Sequence, residues 1–283
     1  MSEIGDRTFA RALFAPIMLI YAIFLLAPIS FFLAMSVFRY SPLELYIPTV
    51  TAENFLRLLG EEYYRNIILR TLKIAGLTAL FSLLLGYPLA YFLARTRSAA
   101  RGVLMFLVIA PLMTGVIVRT YGWIVLLGSE GAVNSTLRWL GLIDAPVKIL
   151  ETELAVLLAL VHILMPYMVF PLFSSLAGQD PNVERAAATL GAGRLRTFVE
   201  VTLPLSRSGI LMGSALVFTL TMGAVVTPAL LGGTEVTMLG QTIYNLVLST
   251  LNWPFASAVA MVLVLCQLSI IFLYFRGGRR RAV

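Results

Sequence analysis

Side chains capable of chemistry are few in this chain, and they are scattered among long apolar stretches. The chain has one His, His162, and one Cys, Cys266, so an intrachain disulfide and a multi-Cys metal site are excluded. It contains no Gly-x-x-x-x-Gly-Lys-Ser/Thr phosphate-binding motif, no cluster of His, Asp and Glu, and no nucleophile–base pair. The sequence therefore predicts no catalytic residues, no metal site and no cofactor in the chain itself.

The most informative polar segment is 177–207, which separates two apolar stretches. Asp180 suits a helix N-cap, because its carboxylate can accept the free N–H groups of the first turn. Pro181 suits the first helical position, where its missing N–H would be unpaired anyway. Gly191 suits the position just after a helix, where a positive φ is cheap only without a Cβ. We therefore predict a short helix over 180–191, followed by a second amphipathic piece that ends at Pro204.

The composition of the chain predicts the type of element that surrounds this segment. Hydrophobic residues make up 59% of the chain and charged residues 12%, far from the balance of a soluble domain. Six stretches are long enough to cross a bilayer, and they leave no room for a soluble catalytic domain. We predict an all-α integral membrane protein, a single domain over 1–283. The six predicted transmembrane helices lie at about 13–37, 70–94, 103–127, 154–176, 208–232 and 254–275.

The polar gaps between these stretches alternate in charge. One set carries 13 Arg and 5 acidic residues, a net charge of +8, and consists of 1–12, 95–102, 177–207 and 276–283. The other set carries 7 basic and 9 acidic residues, a net charge of −2, and consists of 38–73, 128–153 and 233–253. The positive-inside rule then predicts that both termini and the 177–207 loop are cytoplasmic. The Arg residues lie at helix ends rather than on one soluble face, which argues against binding of nucleic acid. We expect the tail 276–281 to bind anionic lipid of the cytoplasmic leaflet.

The spacing within 177–207 resembles the EAA loop of the membrane subunits of bacterial ATP-binding-cassette importers. That loop has a Glu followed by small residues, a Gly seven residues after the Glu, a nine-residue spacer and an aliphatic-x-Leu-Pro. The residues that fit it are Glu184, Ala186, Gly191, Val201, Leu203 and Pro204. Arg185 departs from it, since it stands where the pattern has its first Ala. The resemblance implies a type I ABC importer permease fold with ATPase-coupling residues at Glu184, Ala186, Ala187, Gly191 and Pro204.

Two further motifs resemble the spermidine/putrescine-type branch of these permeases. They are Arg-Thr-Tyr-x-Trp, from Arg119 to Trp123, and Thr-Pro-x-Leu-Leu-Gly-Gly, from Thr227 to Gly233. The resemblance implies a substrate pathway that includes Arg119, Tyr121, Trp123, Thr227 and Pro228. Branch members often carry an Asp where this chain has Gly223-Ala224. Two roles stay open for Arg119: an anchor that reaches the outer interface, or a group that faces a cavity or another helix.

As implied by the resemblance, the chain is half of a pore in the bacterial inner membrane. Its implied partners are a cytoplasmic ATPase dimer that holds ATP and Mg, a second permease that is homologous or identical, and an external solute-binding protein. The 38–69 loop either docks that protein or lies at the membrane interface. We predict a small polar nitrogenous solute, with a polyamine as the leading choice and an amino-acid-like or quaternary amine compound as the alternative. An ion-coupled secondary transporter is the alternative of another class, and the lack of carboxylates within the spans argues against it.

Overall fold

The computed structural model describes residues 2–96, 98 and 100–279. Arg280 and Arg281 of the predicted lipid anchor lie outside the described residues. The elements in chain order are α1 (Ser2–Ser36), β1 (Phe38–Ser41), β2 (Leu45–Val50), α2 (Glu53–Gly60), α3 (Glu62–Arg95), α4 (Ala100–Ile109), a 3₁₀-helix (Ala110–Met113), α5 (Val116–Leu127), α6 (Ala132–Trp139), α7 (Glu153–Ala177), α8 (Pro181–Thr189), α9 (Arg194–Thr197), a π-helix (Phe198–Thr202), α10 (Leu203–Leu205), α11 (Arg207–Met222), α12 (Val226–Leu231), α13 (Leu239–Leu248) and α14 (Trp253–Arg279).

The described part of the chain has five helices that are long and apolar enough to cross a membrane. They are Met18–Ser36, Glu62–Arg95, Val116–Trp139, Glu153–Ala177 and Trp253–Phe272. A sixth span results if the segment Arg194–Leu205 and the helix Arg207–Met222, which meet at an angle of 66°, are counted together. The prediction of a helical membrane fold is thus confirmed, although the spans are not six uninterrupted helices.

The third predicted span, 103–127, is wrong as a continuous helix. It consists of α4, a 3₁₀ turn and α5, and Thr114 and Gly115 between them have extended backbones. Pro111 contributes to the break, because it has no N–H to donate along a helix and its ring crowds the preceding turn, although α7 continues through Pro166 and Pro171. Hydropathy alone does not detect the break, because Pro111 stands between apolar neighbours.

The fifth predicted span, 208–232, is also interrupted. Helix α11 ends at Met222 and α12 begins at Val226, so the break falls at Gly223 to Val225. Pro228 lies within the first turn of α12, where a missing N–H costs no helical hydrogen bond. The non-helical backbone lies just before the Thr-Pro pair of the predicted pathway motif.

The described residues fall into two compact units, and the single domain over 1–283 stays a prediction. The first unit contains 1–62 and 243–262. Within it, β1 and β2 form an antiparallel hairpin where the sequence had indicated only an external loop. The aromatic and β-branched residues of these strands favour this structure. The Asn54 side chain on α2 ties the hairpin to the end of α1, because its amide donates to the carbonyls of Ser36 and Phe38 at 3.0 and 2.9 Å.

The second unit contains the described residues of 63–242 and 263–279, and its core is formed by α3, α7 and α11. Helices α7 and α11 approach closely at two glycines of α11. A Cβ at Gly209 would lie 2.7 Å from the Pro171 carbonyl oxygen, and one at Gly213 would lie 2.7 Å from the Met168 sulfur. Small residues permit such close packing between membrane helices. This core supports the polar loop that follows α7.

Candidate coupling loop and translocation pathway

Helix α8 has the caps that its sequence predicts. The Asp180 carboxylate accepts a hydrogen bond from the Asn182 backbone N–H at 2.9 Å, and Pro181 occupies the first helical position. Gly191 has φ +85°, and two backbone bonds of 3.0 Å close the C-terminus, from Gly191 N–H to the Ala188 carbonyl and from Ala192 N–H to the Ala187 carbonyl. This pair of bonds is the Schellman motif, which requires a left-handed residue at the position of Gly191.

One face of α8 is available to another molecule. In this fully described helix no side chain is buried, and Ala186 and Val183 are exposed while Ala187 is half-buried. Leu190, just beyond the helix, is 88% exposed. Small and apolar side chains on an exposed, rigid helix permit close approach of a partner surface. The exposed side of α8 is therefore suited to docking.

Glu184, in contrast, bonds within its own chain. Its carboxylate accepts hydrogen bonds from the Arg95 guanidinium at 2.7 Å, from the Thr202 hydroxyl at 3.1 Å and from the Tyr91 hydroxyl at 3.3 Å. The Arg95 and Glu184 side chains are only 18% and 21% exposed, so solvent screens this ion pair less than a surface pair. Arg95 also lies within 3.5 Å of the Gln179 carbonyl oxygen. The carboxylate thus fixes α8 against the end of α3.

The second amphipathic piece contains the predicted Pro204. Residues 194–205 are helical throughout but include a π-turn over Phe198–Thr202, with the Leu203 N–H bonded to the Phe198 carbonyl. Pro204, which is half-buried, has no N–H for the Glu200 carbonyl, and an irregular turn of this kind accommodates that loss. The chain then turns by 66° into α11, so Pro204 lies at the junction of loop and span.

A basic cleft opens beside α8, with a volume of about 800 Å³. The charged groups that line it are Arg95, Arg101, Arg185, Arg194 and Glu184. Its positive charges outnumber its single carboxylate, so it suits an acidic surface better than a cationic solute.

The predicted pathway residues divide into three places rather than one site. Thr227 and Pro228 are buried, and the Thr227 hydroxyl lies 3.3 Å from that of Thr120 on α5. This hydrogen bond joins α12, which follows the break in the fifth span, to α5 of the third span. Both residues therefore support the packing of this chain, and their side chains are not exposed on it.

Trp123 and Arg119 lie one turn apart on α5. The Trp123 indole N–H donates to His162 Nδ1 on α7 at 3.3 Å, and the two rings meet edge-on with centroids 5.6 Å apart. Arg119 is half-buried, and its Nε and one terminal nitrogen are buried with no hydrogen-bond partner among the described residues. Buried nitrogens favour an interior role for Arg119 over an anchor at the interface.

Tyr121 lies on the opposite face of α5 and is 56% exposed. Two residues along a helix correspond to a rotation of about 200°, so the side chains of Tyr121 and Arg119 diverge. The structure thus groups Arg119 with Trp123, pairs Thr227 with Thr120, and separates Tyr121 from both. Sequence patterns did not identify Tyr91, Arg95 and His162 as partners of these site residues. Tyr91 and Arg95 are four residues apart, so their common helix face could have been inferred from the sequence.

Comparisons with known proteins identify the family of the chain. The family model described as "Binding-protein-dependent transport system inner membrane component" matches residues 82–281. The chain is 36% identical to the spermidine/putrescine transport system permease protein PotB of Haemophilus influenzae, over 90% of this chain and 89% of the relative. It is 38% identical to PotB of Escherichia coli, over 81% of this chain and 83% of the relative.

A solved structure of a bacterial alginate ABC transporter, in complex with an alginate pentasaccharide-bound periplasmic protein, has a similar fold. The TM-score is 0.76 at 19% identity, with 98% of this chain and 96% of that chain covered. At this identity the likeness shows the fold alone. Because the family match and the relatives extend over most of the sequence, the chain belongs to the binding-protein-dependent transport system inner membrane components and is a multi-pass inner membrane permease subunit.

Proposed function

We propose that this chain forms half of the translocation pathway of an ATP-driven, binding-protein-dependent importer of polyamines. The observation that carries the proposal is the rigid, exposed helix α8, capped by Asp180 and Gly191, on the Arg-rich side of a membrane permease. The exposed face of this helix offers a docking surface to an ATPase. The substrate class rests on the two relatives described as spermidine/putrescine permeases.

The proposed assembly contains two permeases, a dimer of cytoplasmic ATPases and an external solute-binding protein. The second permease is a homologue of this chain or a second copy of it. ATP and Mg bind on the ATPase, since this sequence has no phosphate-binding motif. Both termini and α8 face the cytoplasm, an orientation supported by the net charges of +8 and −2 on the two sets of gaps.

In this assembly the chain acts as a mechanical element. ATP binding closes the ATPase dimer and draws the two α8 helices together. The movement tilts the permeases so that the pathway opens outward, and ATP hydrolysis resets it. The bound Glu184 carboxylate makes α8 move with α3 rather than independently.

A polyamine would meet few anionic groups on this chain. The sequence has no Asp or Glu within 154–179 or 201–234. The chain can instead present the aromatic face of Trp123, which is able to hold an organic cation with about 0.5–2 kcal/mol, whereas Tyr121 lies on the opposite face of α5. Arg119 favours a second candidate, a zwitterionic amino-acid-like solute, because its buried unpaired nitrogens could bind a carboxylate.

The test is to purify the chain with its associated proteins and reconstitute the complex in proteoliposomes. We expect an ATPase to co-purify and labelled spermidine or putrescine to enter only with ATP and the binding protein present. Uptake that continues without ATP, and that collapses when an ion gradient is dissipated, would instead identify an ion-coupled transporter. Uptake of amino acids but not polyamines would identify the second candidate.

A further inference from the structure

Helix α3 carries a stripe of polar side chains that contacts the coupling loop at two separate points. Tyr87, Tyr91 and Arg95 follow each other at intervals of four, so they lie on one face over about 12 Å. Tyr91 and Arg95 bind Glu184 on α8. The Tyr87 hydroxyl lies 2.8 Å from that of Ser206, at the point where the chain turns by 66° into α11.

The second contact point is buried, and the first is partly exposed to the basic cleft. Ser206 is fully buried, and Tyr87 is also buried with its ring edge-on to that of Phe198, at 5.5 Å between centroids. The loop 180–206 is therefore held to α3 at its first helix and again at its last residue. A loop held at both ends moves as one body with the helix that holds it.

The other end of α3 is fixed just as specifically. The Arg70 guanidinium donates to the Glu235 carbonyl at 2.6 Å, and the Thr71 hydroxyl accepts the Leu239 N–H at 3.0 Å. The Lys73 ammonium donates to the Glu153 carboxylate at the start of α7, at 2.6 Å. These contacts attach α3 to the segment 232–239 and to α7, about 36 Å from Arg95 along the helix.

We propose that α3 transmits movement of the coupling loop to the 232–239 segment on the opposite side of the membrane. The Arg95–Glu184 ion pair links α3 to the coupling loop, and we call this pair the joint. In this proposal, which rests on the proposed function, the Glu184 carboxylate is a positioning group inside the permease and not a contact to the ATPase. The exposed face of α8 docks the ATPase, and the Arg95–Glu184 pair converts docking into movement. Breaking the joint should leave ATP hydrolysis running without transport.

The test measures solute transported per ATP hydrolysed by the complete importer in proteoliposomes. Arg95→Gln removes the joint and leaves the exposed face of α8 unchanged. We expect the ratio to fall by about tenfold or more, the scale of one charged hydrogen bond, while the ATPase still co-purifies and hydrolyses ATP. Arg95→Lys should recover part of the ratio. The double variant Arg95→Glu with Glu184→Arg should recover more than either single reversal.

A second variant, far from the coupling loop, distinguishes transmission of movement from docking of the ATPase. Thr71→Val removes only the hydroxyl that accepts the Leu239 N–H, far from any ATPase, and should also lower the transport ratio, by about threefold to tenfold. The matched control is Arg138→Gln, which breaks an ion pair with Glu130 at 2.8 Å and has no role in the joint or in the cleft. Its ratio should equal that of the wild type.

Each outcome decides the proposal. If Arg95→Gln lowers uptake and hydrolysis in the same proportion, the pair only supports docking and the proposal is wrong. An unchanged ratio in Arg95→Gln or Thr71→Val also overturns it. If Arg95→Gln does not reach the membrane, Tyr91→Phe replaces it, because that variant loses a single 3.3 Å hydrogen bond to Glu184. Failure of the wild-type chain itself to bind an ATPase would reject the proposed function instead.

Discussion

Gly191 allows the conformation of the coupling loop to be tested by backbone strain alone. Its φ of +85° closes the two hydrogen bonds that end α8, and an added Cβ would meet nothing within 4 Å among the described residues. A substitution there therefore acts through φ and not through a clash. Holding a residue with a Cβ in the left-handed region costs about 1–2 kcal/mol, and a β-branched residue is disfavoured further.

This cost is large for α8, which has nine residues and no buried side chain. A helix of that length is marginal in water by itself, so α8 depends on its caps and on the hydrogen bonds of Glu184. One to two kcal/mol corresponds to a factor of about 5–30 in a folding equilibrium. If the ATPase binds only the ordered helix, its apparent affinity falls as the ordered fraction falls. We therefore expect Gly191→Val to weaken ATPase binding by up to about 5–30-fold and to abolish uptake, while membrane insertion is unchanged.

The chain offers a matched control two residues away. Gly193 has φ −66° and ψ 164°, an extended conformation that any residue adopts, and a Cβ there also meets nothing within 4 Å among the described residues. Binding would be measured by titrating the purified ATPase against each permease variant in detergent or nanodiscs. Equal affinities for Gly191→Val and Gly193→Val would show that the strain argument, and with it the role of the helix end, is mistaken.

Three further predictions concern the loop, the orientation and the pathway. Glu184→Lys places a second cation beside Arg95, so uptake should be lost while the protein still inserts, and wild-type uptake would remove the loop from the mechanism. In a background without the native cysteine, Gly193→Cys should react with a maleimide only from the cytoplasm, and Thr234→Cys should react only from outside. Labelling of Gly193→Cys by an impermeant reagent in intact cells would show that the predicted topology is wrong. If Arg119 binds a substrate carboxylate, Arg119→Gln should weaken competition by zwitterionic compounds about tenfold or more and leave polyamine competition unchanged; identical competition in both proteins would leave Arg119 a purely structural role.

The features that could be predicted from sequence depend on neighbouring residues. The N-cap at Asp180, the first turn at Pro181 and the left-handed Gly191 each follow from a local rule, and the structure has all three. The Arg95–Glu184 pair joins residues 89 positions apart, and no local pattern specifies which distant charge a carboxylate will meet. The helix break at Pro111 was missed for another reason, since average hydropathy does not register a lost N–H donor.

The pathway residues show a third kind of failure. The motif from Arg119 to Trp123 was treated as one site, but helical geometry sends Tyr121 to the far side of α5 while Arg119 and Trp123 share a face. This divergence follows from the spacing alone and needed no structure. The burial of Thr227 against Thr120 could not be foreseen in the same way, because it depends on how α12 packs after the break at Gly223.

The proposed docking role gives a physical reason for the composition of α8. A docking surface that must approach a partner closely needs small side chains, and Ala186 lies on the exposed side of α8. A helix that must transmit force needs a firm attachment to its own protein, and one inward carboxylate with three donors provides it. The two demands fall on opposite faces, so a Glu beside alanines satisfies both within one turn.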